Sequence, residues 1–394
     1  MSGVLVADFS RVLAGPMCTM LLADLGATVI KVERPGTGDD TRSWGPPFTE
    51  HGSTYYLSVN RNKHSVVLDL TDEADRAAAR TLVERADVLV ENFRTGVLDR
   101  LGFGYDELST VNPGLVYCSV TGYGSGAGAD LPGYDFVIQA VGGLMSITGP
   151  VDGPPSKVGV ALVDVITGLH AAVGILAALR ERDHSGHGQR VEVNLLSSLI
   201  AGLVNVSSAY LHTGVEQGLV GNSHPSITPY ETVRTADRPL VLAVGNDRQF
   251  SSLCRVLGVP ELAADQRFAT NSERVGHRGE LIALLEQRLT TRGAAEWTAE
   301  LSRAGVPCGP VNGLGGAFAL ARELGLEPSV TVTHPDTGRT VAQVANPVRL
   351  SRTPARYHRP PPTLGADTDE VLGWLRDLAE RPGPDRVAAP DTQP

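Results

Sequence analysis

Aromatic residues are scarce in this chain of 394, at 5%, while 42% of it is hydrophobic, so its core must be built chiefly from aliphatic side chains. A chain of this length buries enough surface for more than one folded unit, and two domains are expected. Cysteine is sparse as well. Cys18, Cys118, Cys254 and Cys308 stand far apart with no CxxC pair, which argues against a zinc ribbon or a dithiol motif and predicts reduced thiols and no metal centre. Positive charge is in deficit: 34 Lys and Arg face 44 Asp and Glu, a net charge of −10, and the basic residues are scattered. Nucleic acid and an anionic membrane are therefore not natural partners, and any anionic ligand must be met by local cations. The opening "MSGVLVADFSRVL" lacks the basic flank and long apolar core of an export signal, which predicts a cytoplasmic protein. The first strand pattern runs into "RVLAGPMCTM", without the GxGxxG spacing that brings backbone close to a pyrophosphate, so a dinucleotide site is not expected there.

Long apolar runs are missing too, with one exception. "GVALVDVITGLHAAVGILAAL", residues 159–179, approaches the roughly 20 residues a bilayer requires. Asp164, Gly168, His170 and Gly174 argue against a membrane span, and the run reads as a buried helix of a soluble protein. Asp164 falls at the start of that helix, where an aspartate can act as a simple N-cap or as a functional carboxylate. Thr167 and Gly168 share its side of the helix and would leave space beside it, whereas His170, about 240° further round, reads as structural.

What remains is a regular alternation. "GVLVADFS", "PMCTMLLADLGA" and "TVIKVERPG" read as strand, helix and strand; "TDEADRAAARTLVERA" reads as a helix before the strand "DVLVENF", and a further strand follows in "GLVYCSVTGYG". Strands that alternate with helices predict a parallel α/β sheet. The run "TGYGSGAG" reads as a flexible loop over a site. Beyond "GNSHPSITPYE" a strand "PLVLAVGN" and helices over "DRQFSSLCRVLG", "ERVGHRGELIALLEQRL" and "AAEWTAELSRAG" make a smaller second domain. Residues 331–351 read as a hairpin turning at 336–338, followed by a helix near 366–380 and a disordered tail at 381–394.

The motifs "VLAGPMCTMLLADLGATVIKVERPGTGDDTR", "NRNKHSVVLDL", "VENFRTGVLDRLGFGYDEL", "ALVDVITGLHAAVGILAAL", "GNDRQF" and "GVPCGPV" occur in this order, and together they resemble the family III CoA-transferases. The resemblance implies a Rossmann-like large domain over 1–200, completed by 325–380, linkers at 201–224 and 311–324, a smaller α+β domain at 225–310, and an interlocked homodimer. It implies coenzyme A, carried as an acyl-CoA substrate, and a carboxylic acid as second substrate. Asp164 matches the family's catalytic aspartate, and a carboxylate kept ionised at a helix N-terminus can attack a thioester. Arg34 of "KVERPG" matches an arginine that packs against adenine, and Arg100 one that contacts phosphate. Val12, Leu68, Asn92 and Phe93 match positions along the nucleotide and pantetheine path.

Departures from the family pattern point to a branch. Leu13 stands where the formyl-CoA transferases carry glutamine, and "GNSHPSITPYE" replaces their glycine loop, so His224 and Ser226 become candidates to contact an acid substrate. These features resemble the transferases that move CoA from succinyl-CoA to other dicarboxylates. Asp367 replaces a histidine of the pattern "LGEHTDEVL". Tyr134 occupies the position of the catalytic histidine in the family's racemase branch, and a phenol is a poor base near neutrality. The transferase reading is thereby favoured over α-proton transfer and over a non-catalytic acyl-CoA-binding protein.

Overall fold

The computed structural model describes residues 1–379, so the expected tail at 381–394 lies outside the described residues. The chain divides into two compact units: Met1–Leu144, Lys157–Val215 and the chain from Glu327 onward form the larger, and Met145–Ser156 with Glu216–Leu326 form the smaller. The segment 145–156, expected inside the first domain, groups with the smaller unit. It is a tight turn of its own, with Ser156 N–H bonded to Thr148 O at 2.7 Å and Gly153 N–H to Pro150 O at 3.0 Å.

The larger unit is organised by six strands, β1 (Leu5–Asp8), β2 (Thr28–Glu33), β3 (Lys63–Val67), β4 (Val88–Glu91), β5 (Val116–Thr121) and β6 (Arg190–Asn194). All neighbours pair in parallel, in the order β3-β2-β1-β4-β5-β6, with Val6 of β1 opposite both Val29 and Val88. This is the doubly wound Rossmann-like order, and β1 is fully buried, as a central strand covered on both faces requires. The order reverses between β1 and β4. Ligands in such sheets bind beyond the carboxyl ends of the strands at that reversal, which here means the segments after Asp8 and after Glu91.

Ala14–Asp24 forms the helix after β1, and Leu162–Ser185 packs against it. Gly168 makes that packing possible: a Cβ there would stand 2.7 Å from Ala14 O. Gly168 is thus a point of close helix approach and not the open space beside Asp164 that helix geometry had predicted. The long helix is also only half covered. Val163, Thr167, Ala171 and Ile175 face the core, while Leu169, Val173 and Leu176 are exposed, so the expectation of a buried helix holds for one face of the single chain.

In the smaller unit, Leu240–Ala243 pairs antiparallel with Tyr230–Val233 and with Cys308–Pro310, and its core gathers Leu242, Phe250, Leu253, Leu285, Trp297 and Leu301. The helix expected over "ERVGHRGELIALLEQRL" is two helices, Asn271–Gly276 and Arg278–Leu289, which break at His277. Arg274 holds the first piece in place: its buried guanidinium donates to Thr228 O, Phe268 O and Asp247. The C-terminal hairpin spans Ser329–Thr333 and Thr340–Val344, and the last helix is Thr368–Ala379. All four cysteines are free.

Candidate active site

Asp164 sits in the first turn of Leu162–Ser185, but it does not cap the helix. The N-cap is Ala161, with no side-chain bond, and the free N–H groups are met from another element. Asp135, the first residue of the helix Asp135–Val141, accepts the N–H of Val163 at 2.7 Å and that of Asp164 at 3.3 Å. Gln139, one turn on, donates to Asp135 at 2.6 Å and accepts the Val158 N–H at 2.9 Å, fixing the chain that leads into the helix.

This arrangement corrects the expectation that the helix N-terminus keeps Asp164 ionised. Asp135 accepts the free N–H groups there, and Asp164 is left with burial and a like charge beside it. Burial first, and then Asp135, push the Asp164 carboxyl from 3.8 up to about 7. Tyr55 lies near enough to register the same charge: burial and then Asp164 raise its phenol to about 12. Sequence reasoning missed both Asp135 and Tyr55.

Asp164 opens into a cavity of about 210 Å³ at the β1/β4 switch point, lined entirely by the larger unit. Val12, Leu13 and several residues between 122 and 134 line it together with Asp164, which places the predicted glycine loop in the same cavity as the carboxylate. The base of that loop closes where Gly122 and Gly133 meet; a Cβ on either would come within 2.8 Å of the other's Cα. Tyr134 lines the cavity and is 61% exposed.

A second cavity of about 210 Å³ begins on the other side of Arg11 and Phe93, which line both. Its walls include Val32, Leu68, Leu70 and Leu101, an apolar slot edged by the Arg34 guanidinium, with Lys31 and Asp39 also in its lining. Arg34 is half-exposed, and its Nε donates to Thr37 at 2.7 Å while an NH2 group pairs with Asp40. Phe93 carries the Arg11 guanidinium 5.1 Å from its ring centre, and its N–H is accepted by buried Glu91 at 2.8 Å. Burial raises that glutamate to about 7.

The remaining predicted residues are spread over both units. Asn92 lines the first cavity, yet its amide is engaged by the backbone of Arg11, accepting its N–H at 2.8 Å and donating to its carbonyl at 2.7 Å. Arg100 is exposed on Val97–Arg100 and lines neither cavity. His224 and Ser226 belong to the smaller unit, where the His224 Nδ1 accepts the Ser226 N–H at 3.1 Å and the ring stands 5.2 Å from that of Tyr230. His170 pairs with Ser198 at 3.1 Å. Asp367 ties the last helix to β3, accepting the Ser65 N–H at 2.8 Å and pairing with Arg359 at 2.9 Å. His64, Asp367 and Glu370 cluster closely enough to share an ion, but Arg359 already neutralises the aspartate.

Fold and site together define a doubly wound α/β enzyme in which a switch-point crevice joins an apolar, arginine-edged slot to a half-buried carboxylate. Comparison with known proteins makes the class specific. Residues 1–368 match CoA-transferase family III. The chain is 43% identical over 373 residues to the succinyl-CoA:glutarate CoA-transferase of Mus musculus, covering 94% of this chain and 85% of that protein. It is 42% identical over 387 residues to the succinate–glutarate CoA-transferase of Agrobacterium fabrum, covering 96% of each. A crystal structure of a CAIB/BAIF family protein from Brucella suis superposes with a TM-score of 0.84 at 40% identity, covering 95% of this chain and 98% of that one. The chain belongs to CoA-transferase family III and is a CoA-transferase, an enzyme of CoA thioesters.

Proposed function

We propose that this enzyme moves CoA from succinyl-CoA, or another dicarboxyl-CoA, to a carboxylic acid acceptor, with Asp164 as the nucleophile. The observation that carries the reading is the state of Asp164: it is half-buried at the switch-point cavity, forms no ion pair among the described residues, and burial with the Asp135 charge raises its carboxyl to about 7. A carboxylate freed of hydration and of counter-ions is a stronger nucleophile than one in water. It attacks the thioester carbonyl, giving a mixed anhydride and CoA thiolate. The thiolate then attacks the aspartyl carbonyl, expelling the donor acid as carboxylate and leaving an aspartyl-CoA thioester. The acceptor acid runs the two steps in reverse.

The choice of donor is supported by the relatives, whose names include succinyl-CoA:glutarate, acetyl-CoA:oxalate and succinyl-CoA:mesaconate CoA-transferases. Arg34, Leu68 and Phe93 line the slot for the adenine end of CoA, while Val12 and Leu13 border its reacting end. A phenol at Tyr134 gives no support to α-proton transfer. The enzyme works as a cytoplasmic homodimer. The exposed faces of Leu162–Ser185 and of Val204–Thr213, a helix with no buried residue, support an interface between copies. A monomer in sedimentation at micromolar concentration would overturn that part.

The functional test is CoA exchange between succinyl-CoA and a panel of mono- and dicarboxylic acids. Transfer to at least one dicarboxylate is expected. No transfer to any acid, with CoA binding intact, would contradict the reading.

A further inference from the structure

Three side chains, from β2, the loop after it and the position after β4, hold the backbone of residues 10–12. Lys31 of β2 donates to Ser10 O at 2.7 Å, Asn92 after β4 bonds both backbone groups of Arg11, and Asp39 accepts the Val12 N–H at 3.2 and 3.3 Å. Asp39 is itself fixed. Lys31 Nζ lies 3.0 Å away, Thr41 donates its N–H at 3.0 Å and its hydroxyl at 2.7 Å, and the Asp39 N–H is accepted by Glu33 at 2.9 Å. Lys31 and Asp39 are both fully buried as side chains. Such a pair could serve only to neutralise itself.

What it holds suggests otherwise. Val12 has φ 71°, in the left-handed region that a β-branched residue rarely adopts. Glycine would adopt it freely, yet the residue is valine, whose side chain lines the Asp164 cavity and packs against the cluster of Leu13, Met20 and Val59. A strained residue persists only where its surroundings over-determine it, and such residues gather where geometry matters to function.

We propose that Asp39, locked by Lys31 and Thr41, is a positioning residue for the transfer reaction, holding the Val12 peptide in its left-handed conformation so that Val12 and Leu13 line the cavity that Asp164 shares. The inference rests on the Asp164 cavity being the reaction site. Asp39 also lines the slot beside Arg34, and it acts on the reaction through Val12.

The test is a double-mutant cycle on overall CoA transfer with wild type, Asp39→Asn, Val12→Gly and the double variant. Asp39→Asn should lower kcat roughly tenfold or more with Val12 in place, whereas any change in KM, since Asp39 also lines the slot, should be the same in the wild-type and Val12→Gly backgrounds. In the Val12→Gly background the same substitution should cost less than about twofold, since no strain then needs holding. An equal loss in both backgrounds, or no loss in either, would overturn the proposal and leave Asp39 as a partner for Lys31 alone. Should Asp39→Asn not fold, Thr41→Val runs the same cycle by removing one anchor of Asp39, with about a threefold loss expected that vanishes in the Val12→Gly background. The cycle is read on overall transfer. Failure of Asp164 as nucleophile would appear separately, as transfer that persists in Asp164→Asn.

Discussion

The Asp135 carboxylate accepts the backbone N–H of Asp164 at 3.3 Å while its charge opposes ionisation of the Asp164 side chain. One residue therefore places the nucleophile and also sets when it becomes charged. The two roles separate by substitution, because an asparagine oxygen still accepts the N–H bonds but carries no charge.

With Asp164 near 7, kcat/KM for the acyl-CoA donor should rise with pH through an apparent pKa close to that value. Asp135→Asn removes the like charge, and the rising limb should move to lower pH. Initial rates from pH 5 to 9 check this. A limb that stays in place would mean that burial alone sets the value.

The same shift acts on stability. The folded pKa of Asp164, about 7, lies above the 3.8 of an ordinary aspartate, so folding favours its protonated form. Its contribution is fully present below about pH 4 and is lost as pH rises through about 7. Asp164→Asn has no proton to lose at this site. Its unfolding free energy, followed through Tm, should therefore gain on that of the wild type between pH 4 and 8, by ~4 kcal/mol at most for the full shift. A Tm difference independent of pH, measured in the absence of CoA esters, would contradict the assignment.

Arg34 edges the slot with Leu68 and Phe93, far along the chain from Asp164. Stacking on a purine there is remote binding, so Arg34→Ala should raise KM for CoA esters roughly tenfold with a lesser effect on kcat. An unchanged KM would remove Arg34 from the site.

The sheet was legible because its strands alternate with helices as apolar runs, and the order of the motifs led to Asp164, Arg34 and Phe93. Partners distant in sequence were not. Asp135 lies 29 residues before Asp164, and nothing in "YDFVIQ" says that its carboxylate caps another helix. Gly168 was misread because one helix, taken alone, cannot show that Ala14 O stands against it. The Asn92 amide, placed on the ligand path by its motif, faces the Arg11 backbone for a similar reason. Lys31 did leave a signal, a charge inside the strand "TVIKVE", since lysine is almost never fully buried unless paired. Its partner Asp39, in the glycine-flanked loop after β2, could not be picked out from Asp40 by sequence.

The most direct test of the account is to incubate the enzyme with an acyl-CoA donor and no acceptor, and to weigh the protein and its peptides. The account predicts a species heavier by CoA less one water, carried on the peptide that contains Asp164 and lost on treatment with hydroxylamine. Asp164→Asn should show neither adduct nor transfer. An adduct on another residue, or CoA transfer that survives Asp164→Asn, would contradict the central claim.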